Sequence, residues 1–306
     1  MNESQKKMKR IKLQRTAILL MAASFLITGC EEDVPTIPTP VPNTPGEVLI
    51  PDLEPAVPVT GRLELPERDP DLLFLQHKTL VGEDSVETFS IEYDYGLFHA
   101  VWVAYRFDST TRQRNVTRSA DAFKDDPLLP MEYRIGSASF REDGDYDRGH
   151  LCASADRLYS EEANRQTFYM SNMSPQIASF NQRYWKLLEE QVQEWGRSEA
   201  LSDTLYVCKG AKLSGESILG YVRKGLMPIP SHYYMALLAV KDGTYHSLAF
   251  LVEHKAYQGA TREEVIERHH LSVRELERAT GINFFAALPE SVAERVETED
   301  SLWTLP

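Results

Sequence analysis

Apolar residues are spread along this chain in three different ways. Ala17 to Ile27 is an apolar run interrupted only by Ser24, behind a basic stretch holding Lys6, Lys7, Lys9, Arg10, Lys12 and Arg15. From residue 30 to residue 66 large apolar side chains are sparse. Beyond about residue 89, apolar and polar positions interleave with the periods of strands and helices. Ser90 to Tyr95 alternates, and Leu97 to Phe107 is rich in β-branched and aromatic residues. Both predict strands, with a turn at Gly96. Thr204–Cys208, Tyr233–Val240 and Ser247–Val252 read as further strands. Ser179-Phe180-Asn181-Gln182 has a capping-box pattern, predicting a helix that runs to about Trp195 and stops before Gly196. Ser272-Val273-Arg274-Glu275 is a second such pattern, opening a helix that stops at Gly281. Ahead of both helices, Arg112 to Pro130 is polar and irregular, a long loop of the kind that often carries function. Strands and helices mix without strict βαβ alternation, which predicts an α+β domain with a substantially antiparallel sheet.

The first two parts predict an address rather than a fold. A basic region, a short apolar run and a small-residue cleavage site form a secretory signal over residues 1–29. Ile27-Thr28-Gly29-Cys30 resembles a bacterial lipobox, making Cys30 the lipidated first residue of an exported bacterial lipoprotein. The anchor would lie in the outer membrane or at the cell surface, with the periplasmic face as the other location. An uncleaved anchor or a plain signal is the alternative. Residues 35–58 contain eight prolines, so residues 30–66 are expected to be an acidic, proline-rich, largely disordered linker, leaving residues 67–306 as the domain.

Net charge first argues against a nucleic-acid partner, at −13. Its distribution softens that objection. Residues 1–29 carry six basic residues and one acid, residues 30–88 three and thirteen, and residues 289–306 one and five, which leaves −4 for residues 89–288. A local basic cleft around Arg112, Arg114, Arg118 and Arg148 remains compatible with that balance. Cys152 and Cys208, in an exported chain, are either a disulfide or two buried small hydrophobes. Their spacing does not support a zinc site.

Candidate chemistry centres on Asp147-Arg148-Gly149-His150. It joins a candidate general base to a fixed positive charge, through a glycine read as allowing a sharp turn. Thr167 to Gln176 follows, with Asn172 inside it, then Phe180-Asn181-Gln182, Trp185 and Leu188-Glu189. Arginine beside histidine, with oxygen ligands downstream, suits metal-activated phosphodiester cleavage. Asn181 and Glu189 are eight residues apart, about 80° around an ideal helix, so both can approach one site.

Taken together, these motifs closely resemble the DNA/RNA non-specific endonucleases, the group of the Serratia-type nuclease and endonuclease G. The likeness runs from about Phe98 to Pro289. It includes Val101-Trp102-Val103-Ala104-Tyr105, the Arg118 to Pro127 loop with Phe123 and Asp126, and Thr280 to Phe285. The resemblance implies a ββα-metal core within a larger, mostly antiparallel mixed sheet flanked by helices. It makes His150 the base that activates water and Asn181 the direct ligand of Mg²⁺, with Mn²⁺ as a substitute. Glu189 would act on the metal through water. Arg148 and Arg118 would be catalytic and would bind the phosphate of DNA or RNA, and the products would carry 5′-phosphates. A homodimer also occurs among such proteins.

One departure from the pattern is Gln193, where relatives often place an arginine; Arg183 or Arg197 could take over its contact. Arg114 competes with Arg118 for the loop position. Asn172 either contacts substrate or, the favoured reading, fixes the loop around Pro175. Asp147 is read as a brace for the backbone beside His150. Glu142-Asp143-Gly144-Asp145 is a solvated turn or a Ca²⁺ site, and His269-His270 a surface pair. Trp185 and Leu188 fit the core face of the helix. The alternative function is a catalytically weak, nucleic-acid-binding surface lipoprotein on the same scaffold.

Overall fold

The computed structural model describes residues 61–120 and 122–303. The signal peptide, Cys30 and residues 30–60 of the linker lie outside the described residues. Seven antiparallel strands form the main sheet: β1 (Leu73–Val81), β2 (Asp84–Asp94), β3 (His99–Phe107), β6 (Thr204–Ala211), β9 (His232–Lys241), β10 (Thr244–Glu253) and β11 (His270–Leu271), in that spatial order. Two antiparallel pairs stand apart from it, β4 (Tyr146–His150) with β5 (Met173–Ile177), and β7 (Ile218–Val222) with β8 (Met227–Pro230). The helices are α1 (Glu161–Gln166), α2 (Lys186–Arg197), α3 (Arg262–His269), α4 (Val273–Thr280) and α5 (Glu290–Val296).

Side chains alternate across a strand, so a strand covered on both faces must be apolar throughout. β9 shows this. Tyr233, Met235, Leu237 and Ala239 join one core cluster, while Tyr234, Ala236 and Leu238 join the other. Trp185, Leu188, Val192 and Trp195 cover the first face. Val273 and Leu276 of α4, with Phe284 and Phe285, cover the second. The α+β, largely antiparallel architecture is therefore as the residue pattern predicts.

Several local expectations change. β1 and the first half of β2 were not legible as strands. β1 carries Gln76, His77, Lys78 and Thr79 in its second half, and β2 opens on the exposed Asp84 and Ser85, so neither stretch shows the apolar pattern of a strand. Leu63 is buried and Leu65 packs against the same cluster, so ordered packing begins before residue 67. Ser179 caps nothing; it is already helical and begins a widened, π-type turn over Phe180–Trp185 that runs directly into α2. Gly196 does not stop that helix either. It lies inside α2, where a Cβ would sit 2.4 Å from the Phe107 ring, so glycine there permits close helix–sheet packing. The second capping box is as expected: Ser272 Oγ accepts from the Glu275 amide, and α4 ends at Gly281 with φ 75°.

No disulfide joins Cys152 and Cys208. They belong to the two clusters on opposite faces of the sheet, which separates their thiols. Burial pushes both thiols well above the ordinary range, which makes them inert small hydrophobes.

Candidate active site

β4, β5 and the helical segment after them form a two-strand-and-helix unit, and a cleft of about 580 Å³ opens along it. Arg118 and Phe123 reach the cleft from the long loop, and Asp147, Arg148 and His150 from β4. Asn181 and Gln182 come from the π-type turn, while Lys186, Glu189, Glu190 and Gln193 come from α2. Thus His150, Arg148, Arg118, Asn181 and Glu189 converge on one solvent-open space. The π-type turn helps: i→i+5 bonding advances the chain by less angle per residue than an α-turn, so Asn181 and Glu189 stand closer to one face than 80° implies.

Gly149 has a different role from the one its residue type suggests. It sits in extended backbone opposite Ser174, not in a turn. A Cβ there would lie 2.2 Å from Gln176 Oε1, and Gln176 is fully buried. The glycine leaves room for that side chain, and the strand keeps Arg148 and His150 in register.

His150 lies at the floor of the cleft, with its Nε2 buried and without a hydrogen-bond partner. Phe168 meets its ring edge-on at 4.9 Å, and Phe123 stands 5.8 Å away. The same two rings carry the arginines: Arg148 Cζ lies 3.6 Å over Phe123, and Arg118 Cζ 5.1 Å over Phe168. Aromatic faces attract cations, so these rings hold two guanidiniums beside an imidazole that their charge would otherwise repel. Burial first, and then the Arg118 charge, push the imidazole down to about 3. It is neutral at physiological pH.

Asp147 is a side-chain hub. Its carboxylate accepts from Arg141 Nη2 at 2.8 Å, Asn181 Nδ2 at 3.1 Å and Gln182 Nε2 at 2.7 Å. These bonds outweigh the effect of partial burial and hold the carboxyl below the ordinary range. They tie β4 to the π-type turn, instead of bracing the backbone beside His150. Because Asn181 spends its nitrogen on Asp147, its Oδ1 is the end available to a cation. One amide oxygen, with a carboxylate close by, fits a hard divalent ion that keeps most of its water.

Behind the cleft, Lys209 Nζ stands 3.2 Å from Glu189 Oε1 and 3.4 Å from Asp156 Oδ2. Burial raises the Glu189 carboxyl above its ordinary range, opposed by that ammonium. Lys209 and Asp156 were missed in the sequence, because a lysine in an apolar strand gives no sign of its partners.

Asn172 does not line the cleft. It is fully buried; Oδ1 accepts from the Cys152 amide at 2.8 Å, and Nδ2 donates to the Cys152 and Thr167 carbonyls at 2.9 and 2.7 Å. It joins the chain after β4 to the chain before β5. Arg118, and not Arg114, lines the cleft. Arg112 also stays out of it, buried with its guanidinium on the Asp108, Ser202 and Asp203 carbonyls. The cleft cations are Arg118, Arg141, Arg148 and Lys186. Gln193 does line the cleft, but Arg197 is bonded to the Ala155 and Gln193 carbonyls, and Arg183 lines a neighbouring recess. Neither arginine takes the position that Gln193 leaves.

Asp126 secures the loop from below, accepting from Ser171 Oγ at 2.5 Å and the Leu128 amide at 2.9 Å, with His77 Nε2 at 2.9 Å. Among the described residues no group of three His, Cys, Asp or Glu side chains is arranged to hold a metal, and in the 142–145 turn the Asp143 carboxylate accepts from the Arg223 amide at 2.9 Å. His269 is half-buried and bonds the Tyr184 hydroxyl at 2.9 Å, so it is not simply a surface residue.

Comparison with known proteins agrees with this geometry. A family model described as DNA/RNA non-specific endonuclease matches residues 74–291. The chain is 29% identical over 253 residues to the mitochondrial nuclease EXOG of Danio rerio, covering 79% of this chain and 69% of that protein. It is 29% identical over 210 residues to the mitochondrial endonuclease G of Homo sapiens, covering 65% and 68%. It is 30% identical over 216 residues to nuclease C1 of Cunninghamella echinulata var. echinulata, covering 67% and 83%. A chain of the solved EndoG/EndoGI complex superposes with a TM-score of 0.58 at 21% identity, covering 70% of this chain and 88% of that one, and so shares the fold.

Proposed function

The chain belongs to the DNA/RNA non-specific endonuclease family and is a nuclease, and from that premise we propose that it cuts the phosphodiester backbone of both DNA and RNA, leaving 5′-phosphates. The observation that carries this reading is His150 Nε2, buried and unpartnered at the floor of a cleft that also holds Asn181, Glu189, Arg148 and Arg118. The four cations of the cleft, Arg118, Arg141, Arg148 and Lys186, suit recognition of the phosphate backbone, which carries no sequence information.

Asn181 would hold a Mg²⁺ ion through Oδ1, with Glu189 oriented toward its water shell and Mn²⁺ as a substitute. That ion, when bound, supplies Lewis-acid stabilisation of charge on the phosphate and the leaving 3′ oxygen. The other roles belong to the protein. His150 Nε2 takes a proton from the attacking water. Arg148 and Arg118 neutralise the phosphate oxygens as negative charge grows on them. The substrate's own charge beside Arg118 would offset the repulsion that depresses the imidazole, making His150 a stronger base once substrate is bound.

Purified protein incubated with plasmid and with RNA, in Mg²⁺ and in EDTA, tests the activity. Cleavage of both in Mg²⁺ alone is expected. His150→Ala should lower the rate by at least about a hundredfold while leaving folding and nucleic-acid binding intact; full activity in that variant removes the assigned base. For location we propose the exported, lipid-anchored form, supported by the lipobox-like Ile27 to Cys30. Cys30→Ser should move the protein from the membrane fraction to the soluble fraction, and unchanged partitioning would count against the anchor.

A further inference from the structure

Lys209 occupies β6, the central strand of the seven-stranded sheet, with no exposed side-chain surface. Burying an ammonium so deeply is strongly disfavoured unless its charge is matched and its protons are accepted. Two carboxylates meet that need, and they are not equivalent. Asp156 is itself fully buried and accepts from the Tyr105 hydroxyl at 2.5 Å. It belongs wholly to the interior. Glu189 belongs to the wall of the catalytic cleft, with its side chain 14% exposed. The ammonium therefore links a fixed interior anion to a carboxylate that faces solvent.

A helix-borne glutamate facing water otherwise samples several rotamers. Here one carboxylate oxygen, Oε1, is committed to Lys209 at 3.2 Å. That contact limits the rotation of Glu189 and leaves its second oxygen for the cleft. Asp156 in turn keeps Lys209 from following Glu189 outward. The arrangement resembles the outer partners that orient ligands in metal sites, whose loss typically costs ten- to a hundredfold in affinity or activity.

We propose that Lys209 is a positioning residue: its buried ammonium, braced by Asp156, fixes the orientation in which Glu189 serves the divalent cation. The inference rests on the role given to Glu189 above. It concerns residues that neither the family comparison nor the motif singles out.

Lys209→Met alone would strand Asp156 unpaired in the interior, so it is combined with Asp156→Asn, which removes both charges together. Lys209→Gln is the second variant; its shorter neutral side chain cannot span both carboxylates. Thermal melting identifies whichever variant folds, and Mn²⁺ affinity is measured by calorimetry on the full chain, with and without Glu189→Gln. We expect Glu189→Gln and the Lys209 variant each to weaken Mn²⁺ binding about tenfold, and their combination to be no weaker than Glu189→Gln alone. Wild-type affinity in the Lys209 variant, losses that multiply, or no Mn²⁺ binding by the wild type would each overturn the proposal. Plasmid cleavage is scored on the same preparations. Coupled losses in a wild type that cuts nothing would remove the nuclease reading and leave this one; cleavage with uncoupled losses would do the reverse.

Discussion

The Asp147 carboxylate accepts a hydrogen bond from Asn181 Nδ2 at 3.1 Å, so the residue three before His150 orients the Asn181 amide. Gln182 donates to the same oxygen, Oδ2, and Arg141 holds the other, Oδ1. Asp147→Ala is expected to leave the fold intact, because the side chain lies at the cleft edge. It should raise the Mg²⁺ concentration needed for half-maximal cleavage and lower the rate, each by about tenfold or more. A Mg²⁺ titration of cleavage checks this, and an unchanged midpoint would show that Asn181 orients itself.

The His150 imidazole, pushed down to about 3 by burial and the neighbouring arginines, would lose the proposed function as base only when protonated. Protonation requires pH to fall through that low value, so kcat/KM should change less than about threefold between pH 7.5 and pH 5. A histidine with an ordinary pKa near 6.5 would lose about 30-fold at pH 5. A pH–rate profile with an acid limb near 6.5 would show that the imidazole is not depressed in this way.

Asn172→Ala separates a structural role from a substrate contact. Three hydrogen bonds with its side chain join Cys152 and Thr167 in the interior. Their loss should cost about 2–4 kcal/mol of stability. Denaturant melts are expected to show that loss, while KM for a short oligonucleotide at low temperature stays within about twofold.

Gly149→Ala forces a methyl group onto Gln176. Overpacking of this kind typically costs about 1–3 kcal/mol. Gln176→Ala in the same chain should recover most of the lost thermal stability, since it removes the atoms that clash. No recovery would place the cause in the backbone of β4.

Glu297 is nearly buried beside Arg274 Nη2 at 2.5 Å, and burial, followed by the Glu277 charge, raises its carboxyl to about 7 from 4.5. Between those values the native protein holds a proton that the unfolded chain releases. Its stabilising contribution is thus fully present below pH 4.5 and is lost as pH rises through 7. Glu297→Gln mimics the protonated form, so its melting temperature relative to wild type should rise by several degrees between pH 5 and pH 8. A constant difference would show that Arg274 keeps the carboxylate ionised throughout.

Much of this was legible before any coordinates. Strands β6, β9 and β10 are apolar on both faces because both faces are covered, and runs such as Tyr233–Val240 show it directly. Gly281 and the Ser272–Glu275 cap announce their helix because capping bonds are local. The site motif was legible for a similar reason: Arg148 and His150 share one strand, and Asn181 and Glu189 share one continuous helical segment, so the spacing within each pair is set locally.

What the sequence alone determined is the chemistry on offer and the elements that carry it. Only the tertiary structure decided which charges share the cleft and which are spent elsewhere. Arg112 and Asn172 look available in the chain, yet backbone carbonyls and amides far away in sequence take up their hydrogen-bonding capacity. Lys209 looks like an accident in an apolar strand, yet it joins Asp156, 53 residues away, to Glu189, 20 residues away. The physical reason is common to all three: a buried polar group must be satisfied, and its partner is chosen by packing, which residue order does not encode locally.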